Sequence, residues 1–196
     1  MPGTVSIVDF FSNLDKVPLS NIRKWLRIKI DPHILENFIA NRILYPSTVP
    51  VDGNEVEIDL AFFREAVSLE PKKLYDSLGN KLIIPSQFLD TFGSLQEIVF
   101  CILEVVKTSG IVGVYTKDER GVNQIGTIIS PKIIIQPETT TVMVNGTTYQ
   151  LKNGYLSLVP ATNRHAKVRI LDDEEIFISG GDLGIIFDFR KEEVKP

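Results

Sequence analysis

The spacing of apolar positions changes near the middle of the chain. Before residue 110 apolar residues recur every three to four positions, the period of an amphipathic helix, and after it they alternate with polar residues, the period of a strand. The expected fold class is therefore α+β. It consists of a helical N-terminal half followed by an antiparallel β-sandwich or barrel.

The pattern over 19–44 predicts two helices with a restart between them. Asp31 can cap the second helix, and Pro32 suits its first position, where no amide donor is needed. Residues 48–58 then predict a β-hairpin, because two short extended pieces flank an Asp-Gly turn. Two helices followed by a hairpin form a winged-helix-like helix-turn-helix unit.

Further helices are predicted at 60–69, 86–92 and 94–107, and a strand is predicted at 81–85. The last helix has a wide apolar face, so it is expected to pack on the strands and to join the two halves. The predicted domains are 1–93, mainly helical with a short hairpin, and 94–196, a long helix with an antiparallel β domain.

The second half predicts nine short strands joined by tight turns. Asn145-Gly146 and Asn153-Gly154 are the strongest turn signals, because Asn-Gly pairs favour two-residue hairpin turns. The predicted strands form one continuous meander over 111–116, 122–129, 132–136, 141–144, 147–151, 155–159, 167–171, 175–179 and 184–190.

Composition excludes several protein classes. The chain has 196 residues, 43% of them hydrophobic, and a formal net charge of -4, so it can bury a core and has no global attraction to nucleic acid or acidic membranes. No apolar stretch reaches the ~20 residues of a membrane-spanning helix, and the N-terminus lacks a signal-peptide pattern. A single cysteine favours a reducing compartment, so a cytoplasmic location is expected. Abundant Ile with few Cys, Met and His is compatible with a thermophilic source.

Basic and amide side chains of the two N-terminal helices are candidates for nucleic-acid binding. Phosphate contacts need cations, and Asn and Arg can address base edges. The acidic residues of the predicted hairpin have the wrong sign for a wing that touches DNA, so a merely solvated helical surface is the competing interpretation. The candidate residues are Arg23, Lys24, Arg27, Asn37, Asn41 and Arg42.

A second candidate site is the loop around residue 165. Arg164, His165 and Arg169 could hold a phosphate or carboxylate, although an ordinary solvated loop has the same composition. His165 lacks the neighbouring partner and nucleophile that a general base needs.

Catalytic and metal-binding patterns are missing from the sequence. Cys101 lies within an apolar run and is expected to be a small buried residue. The acidic run 172–175 lacks the alternating ligands and the glycine of a calcium loop, and the glycine-rich 179–184 precedes a strand rather than a helix. No catalytic residue, metal or cofactor is predicted, while 25 acidic residues leave carboxylate-only catalysis open.

These patterns favour a non-catalytic binding or assembly module that acts through protein–protein contacts of the β domain, with a protein partner or by self-association. The edge strands of that domain must be paired or covered. Two alternatives stay open: a winged-helix-type nucleic-acid-binding regulator, and a β domain that binds an anion or small ligand. No membrane association is expected.

Overall fold

The computed structural model describes residues 17–45, 48–76, 80–131, 138–161, 165–170 and 175–190. Within these ranges five α-helices and ten strands form an α+β fold, which confirms the predicted class. The described parts of Met1–Asp76 and Ile84–Lys107 form one compact unit, and those of Ser77–Ile83 and Thr108–Pro196 form a second. The predicted strand at 132–136 lies outside the described residues.

The helices are α1 Leu19–Arg23, α2 Pro32–Leu44, α3 Gly53–Leu69, α4 Gln87–Phe92 and α5 Leu95–Val105, with a 3-10 turn at Pro71–Lys73. The predicted cap of α2 is confirmed, because the side chain of Asp31 accepts a hydrogen bond from the amide of His33 at 2.8 Å and Pro32 opens the first turn. Ser94 caps α5 by accepting from the amide of Glu97 at 3.3 Å.

α1 is shorter than its apolar pattern predicts. It ends at Arg23, and the amide of Trp25 donates to the carbonyl of Ile22, three residues back, at 3.0 Å. The amide of Arg27 then donates to the side chain of Glu57 at 3.0 Å instead of to a helical carbonyl. A tertiary contact has therefore replaced the next turn of helix.

The predicted β-hairpin over 48–58 is wrong, because α3 begins at Gly53. Oδ1 of Asp52 accepts hydrogen bonds from the amides of Asn54 at 2.8 Å and Glu55 at 2.9 Å, so this Asp-Gly pair starts a helix. An Asp side chain can cap a helix or stabilise a turn, and the burial of the residues that follow favours the helix here. The winged-helix-like arrangement, which needs that hairpin, is not confirmed.

α3 is the central helix of the first unit and contacts α1, α4 and α5. The rings of Phe63, Phe88 and Phe92 form an aromatic cluster with centroid separations of 5.2 to 6.4 Å. α5 contacts both α3 and α4. Because α3 is surrounded in this way, its polar residues Asp59 and Glu65 are buried and need partners within the unit.

The strands are β1 Tyr75–Asp76, β2 Lys81–Pro85, β3 Gly110–Asp118, β4 Gly121–Ser130, β5 Thr139–Val144, β6 Thr147–Lys152, β7 Leu156–Val159, β8 Ala166–Ile170, β9 Ile176–Ile178 and β10 Gly184–Asp188. In the second unit the larger sheet has the order β2-β3-β4-β10-β7, and the smaller sheet has the order β6-β5-β8-β9. Residues of both sheets share one apolar core, which includes Val142, Val168, Ile185 and Phe187.

The first Asn-Gly turn is confirmed and the second does not make a hairpin. Asn145 and Gly146 have φ of 50° and 84°, which a type I′ turn requires, and they join β5 to β6 in antiparallel register. β6 and β7, which flank Asn153-Gly154, belong to different sheets, and the amide of Gly154 donates to the carbonyl of Phe189 at 3.0 Å. The chain changes sheets at this turn, so the predicted continuous meander is wrong.

The larger sheet is mixed rather than antiparallel. β10 pairs with β7 in antiparallel orientation and with β4 in parallel orientation, Gly184 facing Gly126 at the start of the parallel pair. A parallel neighbour is possible because β4 and β10 are far apart in sequence. Neither sheet closes into a barrel over the described residues.

Candidate functional site

β9 carries an exposed aromatic residue at the edge of the smaller sheet. It pairs with β8, with Phe177 opposite Lys167, and no strand of the described residues pairs with its other side. Ile176 and Ile178 face the apolar core, so the alternation of the strand turns Phe177 outward, where its exposure is 74%. An aromatic ring at a free strand edge is a typical protein-recognition feature.

Charged residues flank this ring on the outer face of the sheet. Nζ of Lys167 lies 2.5 Å from Oε2 of Glu175, and Nη2 of Arg169 lies 3.3 Å from Oε1 of the same carboxylate. The hydrogen bond from Lys167 and the charges of Lys167 and Arg169 hold the pKa of Glu175 below its usual value, although desolvation opposes them. Glu175 is therefore ionised at neutral pH and is already engaged.

The structure describes two of the three predicted anion-binding residues and places them apart along the chain. Arg164 lies outside the described residues, and His165 is exposed beside the start of β8. Arg169 is four positions further along an extended segment, about 13 Å away along the strand, where Glu175 pairs with it. Nη2 of Arg169 also lies 3.8 Å from Sδ of Met143.

Three of the four predicted cationic residues for nucleic acid are paired with carboxylates of the first unit. Lys24 lies 2.9 Å from Glu65, and Arg27 lies 2.5 Å from Glu104. Arg42 is buried and its guanidinium lies 2.6 Å from Asp59, so it is not presented to a groove of DNA.

The remaining residues of that prediction are on the surface. Arg23 is exposed at the end of α1, and Asn37 and Asn41 are exposed on α2. Acidic partners inside the first unit therefore neutralise Lys24, Arg27 and Arg42, so these three residues present less positive charge to a phosphate backbone than the sequence predicts.

Cys101 is buried in α5, as the sequence predicts. Burial raises the pKa of its thiol to about 12, so the thiolate needed for nucleophilic attack does not form at neutral pH. Over the described ranges no group of three His, Cys, Asp or Glu residues is placed to hold a metal ion. None of the described helices is long and apolar enough to cross a bilayer.

Sequence reasoning missed Phe177, Asp59 and Glu65. Phe177 had a detectable signal, because an apolar residue between Ile176 and Ile178 breaks the alternation of a strand with one solvent face. The carboxylates of Asp59 and Glu65 had no such signal, because their burial depends on helices from other parts of the chain that pack against α3.

Comparison of this chain with protein-family models, with curated proteins and with solved structures gives no match.

Proposed function

We propose that the protein is a non-catalytic assembly module that self-associates through β9 of the smaller sheet. The observation that carries this proposal is the 74% exposure of Phe177 at the centre of an edge strand. Edge strands of monomeric proteins are usually protected by Lys, Pro, a bulge or very short length. β9 is only three residues long, but it consists of Ile176, Phe177 and Ile178 and has no Lys, Pro or bulge.

A second copy is the occupant that this edge fits. Two β9 strands paired antiparallel about a two-fold axis at Phe177 would place the two rings directly opposite each other on the outer face. Aromatic pairs at opposed positions stabilise neighbouring strands by roughly 0.2–1 kcal/mol relative to a pair of alanines. The four-stranded sheet would then continue as one sheet across both copies.

The charges beside the ring are compatible with this pairing. Lys167 is in register with Phe177 and is paired with Glu175 within its own copy. The two-fold arrangement therefore brings no unpaired carboxylate against another carboxylate. The aliphatic part of each lysine can cover the edge of the aromatic pair while its charge stays in water.

The test is the oligomeric state of the full chain over a wide concentration range, measured by sedimentation velocity and light scattering. The wild type is expected to dimerise, and Phe177→Asp is expected to be monomeric because two charges would face each other at the junction. Val122→Asp is the matched control, since Val122 is also an exposed apolar strand residue, with 52% exposure, and lies on the other sheet.

A wild type that stays monomeric up to its solubility limit overturns the proposal. A dimer that Phe177→Asp leaves intact, while Val122→Asp dissociates it, also overturns it and assigns the contact to the larger sheet. Circular dichroism of each variant shows that the fold is retained.

A further inference from the structure

The first unit contains a cavity of about 150 Å³ between α2, the N-terminal half of α3 and residues 48–51 of the connecting segment. Phe38 and Asn41 of α2 form one wall, and Pro50 of the connecting segment forms another. Val49 and Val51 also line it and are largely exposed, so the cavity opens to solvent. A volume of this size admits a group about as large as benzene.

A buried ion pair lies at the inner end of the cavity. Nη2 of Arg42 is 2.6 Å from Oδ2 of Asp59, and the two side chains are 3% and 1% exposed. A second nitrogen of Arg42 donates to the carbonyl of Thr48, which fixes the guanidinium between α3 and the connecting segment. Oδ2 is therefore engaged within the protein, which leaves Oδ1 as the carboxylate oxygen of Asp59 that could accept from a ligand.

Oδ1 of Asp59 is buried and accepts no hydrogen bond from any described residue. Buried carboxylate oxygens nearly always have a donor, so this atom marks a position where a ligand atom could donate. Asp59 belongs to the lining of the cavity, and Oδ1 is thus the natural acceptor for a group that enters it.

The charges of the lining favour a cation. Asp59 and Glu55 are one turn apart on α3, and Arg42 is the single basic residue among the described lining residues. Oε2 of Glu55 accepts a hydrogen bond from the amide of Val51 at 2.6 Å, which holds this carboxylate at the mouth. The lining contains one guanidinium and two carboxylates, so it has an excess of one negative charge when all three groups are ionised.

We propose that this cavity binds an alkylammonium group, with the ammonium donating to Oδ1 of Asp59 and the short apolar stem lying against Phe38 and Pro50. The group can belong to a free aliphatic amine or to a lysine side chain. A stem of four carbons with one nitrogen is close to the size that the volume admits. This site is independent of the sheet edge proposed for self-association.

Titration of the full chain with n-butylamine, followed by amide NMR and calorimetry, tests the proposal. The expected result is saturable binding with shifts at Asn41 and Glu55. N-acetyl-lysine-methylamide tests the second source: if only butylamine binds, the ligand is a free amine, and if the lysine derivative binds at least as tightly, it is a side chain. Butanol is the neutral control and should bind about tenfold more weakly or worse, because it lacks a charge-assisted hydrogen bond.

Replacing the ion pair by apolar residues provides the matched variant. Arg42→Met with Asp59→Leu removes the acceptor and keeps a similar side-chain volume, a type of change that proteins often tolerate. It should reduce butylamine binding about tenfold or more. Glu36→Gln, on α2 outside the cavity, is the control and should leave binding unchanged.

Equal binding of butanol and butylamine to the wild type overturns the proposal without any variant, so the test does not depend on whether the double variant folds. Absence of butylamine binding also overturns it. Binding that survives in the folded double variant would place the amine elsewhere. Glu55→Gln, which can still accept from the Val51 amide, should weaken binding, and an unchanged affinity would refute the role of the excess negative charge.

Discussion

The indole Nε1 of Trp25 donates a hydrogen bond to Oε2 of Glu65 at 2.8 Å. Nζ of Lys24 lies 2.9 Å from the same oxygen, and Nδ2 of Asn21 donates to Oε1 at 3.2 Å. One buried carboxylate of α3 thus receives three donors from α1 and the turn that follows it. These contacts hold the short α1 segment in place where helical propensity alone is insufficient.

Glu65→Gln is expected to destabilise the first unit by about 2 kcal/mol, because the new amide turns a donor toward existing donors and removes the charge that pairs with Lys24. The measurement is urea unfolding followed by the fluorescence of Trp25, the only tryptophan in the chain. Glu36→Gln, an exposed carboxylate on α2, is the control and should change stability by less than about 0.5 kcal/mol. Equal effects of the two changes would contradict this role of Glu65.

Glu65 should also make the stability of the first unit depend on pH. Burial alone would raise its pKa, but the hydrogen bonds from Trp25, Lys24 and Asn21 outweigh burial and hold the pKa below the usual 4.5. The stabilisation is therefore complete above pH 4.5 and is lost as the pH falls through the lower pKa of the folded protein. The difference in unfolding free energy between wild type and Glu65→Gln should shrink on acidification, and a difference that grows would contradict the assignment.

Asp59 should make the free energy of unfolding depend on pH in the opposite direction. Burial raises its pKa from 3.8 to about 6, although the charge and hydrogen bond of Arg42 oppose this. The folded state then holds a proton that the unfolded state has released, so the free energy of unfolding falls as the pH rises from 3.8 to about 6. The full effect is about 3 kcal/mol.

Comparison with Asp59→Asn isolates this effect, because asparagine resembles the protonated acid at every pH. Relative to that variant, the wild type should lose up to about 3 kcal/mol of unfolding free energy between about pH 4 and pH 7. Chemical denaturation at both pH values measures it. A pH-independent difference would show that folding does not shift the pKa of Asp59, and a difference that favours the wild type as the pH rises would show that folding lowers it.

Glu104 is expected to contribute far more to stability than its surface partner Arg27. Its carboxylate pairs with Nε of Arg64, whose side chain is 3% exposed, while Arg27 is mostly exposed. Glu104→Ala leaves the buried guanidinium of Arg64 without this partner and should lower the free energy of unfolding by about 2 kcal/mol. The loss is smaller than for a fully buried pair, because Glu104 is partly solvated. Arg27→Ala should cost less than about 1 kcal/mol. Thermal or urea unfolding of both variants gives the comparison, and similar losses would refute it.

Alanine variants of Gly184 and Gly146 distinguish the energetic cost of backbone strain from that of steric contact. Both have φ of +84°, but a Cβ at Gly184 would lie 2.6 Å from the carbonyl oxygen of Val159, whereas a Cβ at Gly146 would meet nothing within 4 Å. Gly146→Ala should cost about 1 kcal/mol for its left-handed backbone. Gly184→Ala should cost clearly more, because β10 and the Val159 region of β7 must also move apart. Equal costs in denaturant titrations would show that the close approach relaxes freely.

The amino-acid sequence by itself determined the features that depend on near neighbours in the chain. The caps at Asp31 and Ser94 and the Asn145-Gly146 turn are each decided within about four residues, so residue type and spacing suffice to predict them. The change of apolar period near residue 110 likewise sets the α+β class, because the period reflects which face of each local element is buried.

Only the tertiary structure decided what those elements contact. The Asp52-Gly53 pair suits a turn or a helix cap, and the packing of α3 selected the cap. Arg42 pairs with Asp59, 17 positions later in the chain, and Arg27 pairs with Glu104, 77 positions later. No local pattern could therefore show that these cations are neutralised. Burial and ion pairing depend on elements brought together from distant parts of the chain, and this long-range packing determines which polar groups still face solvent.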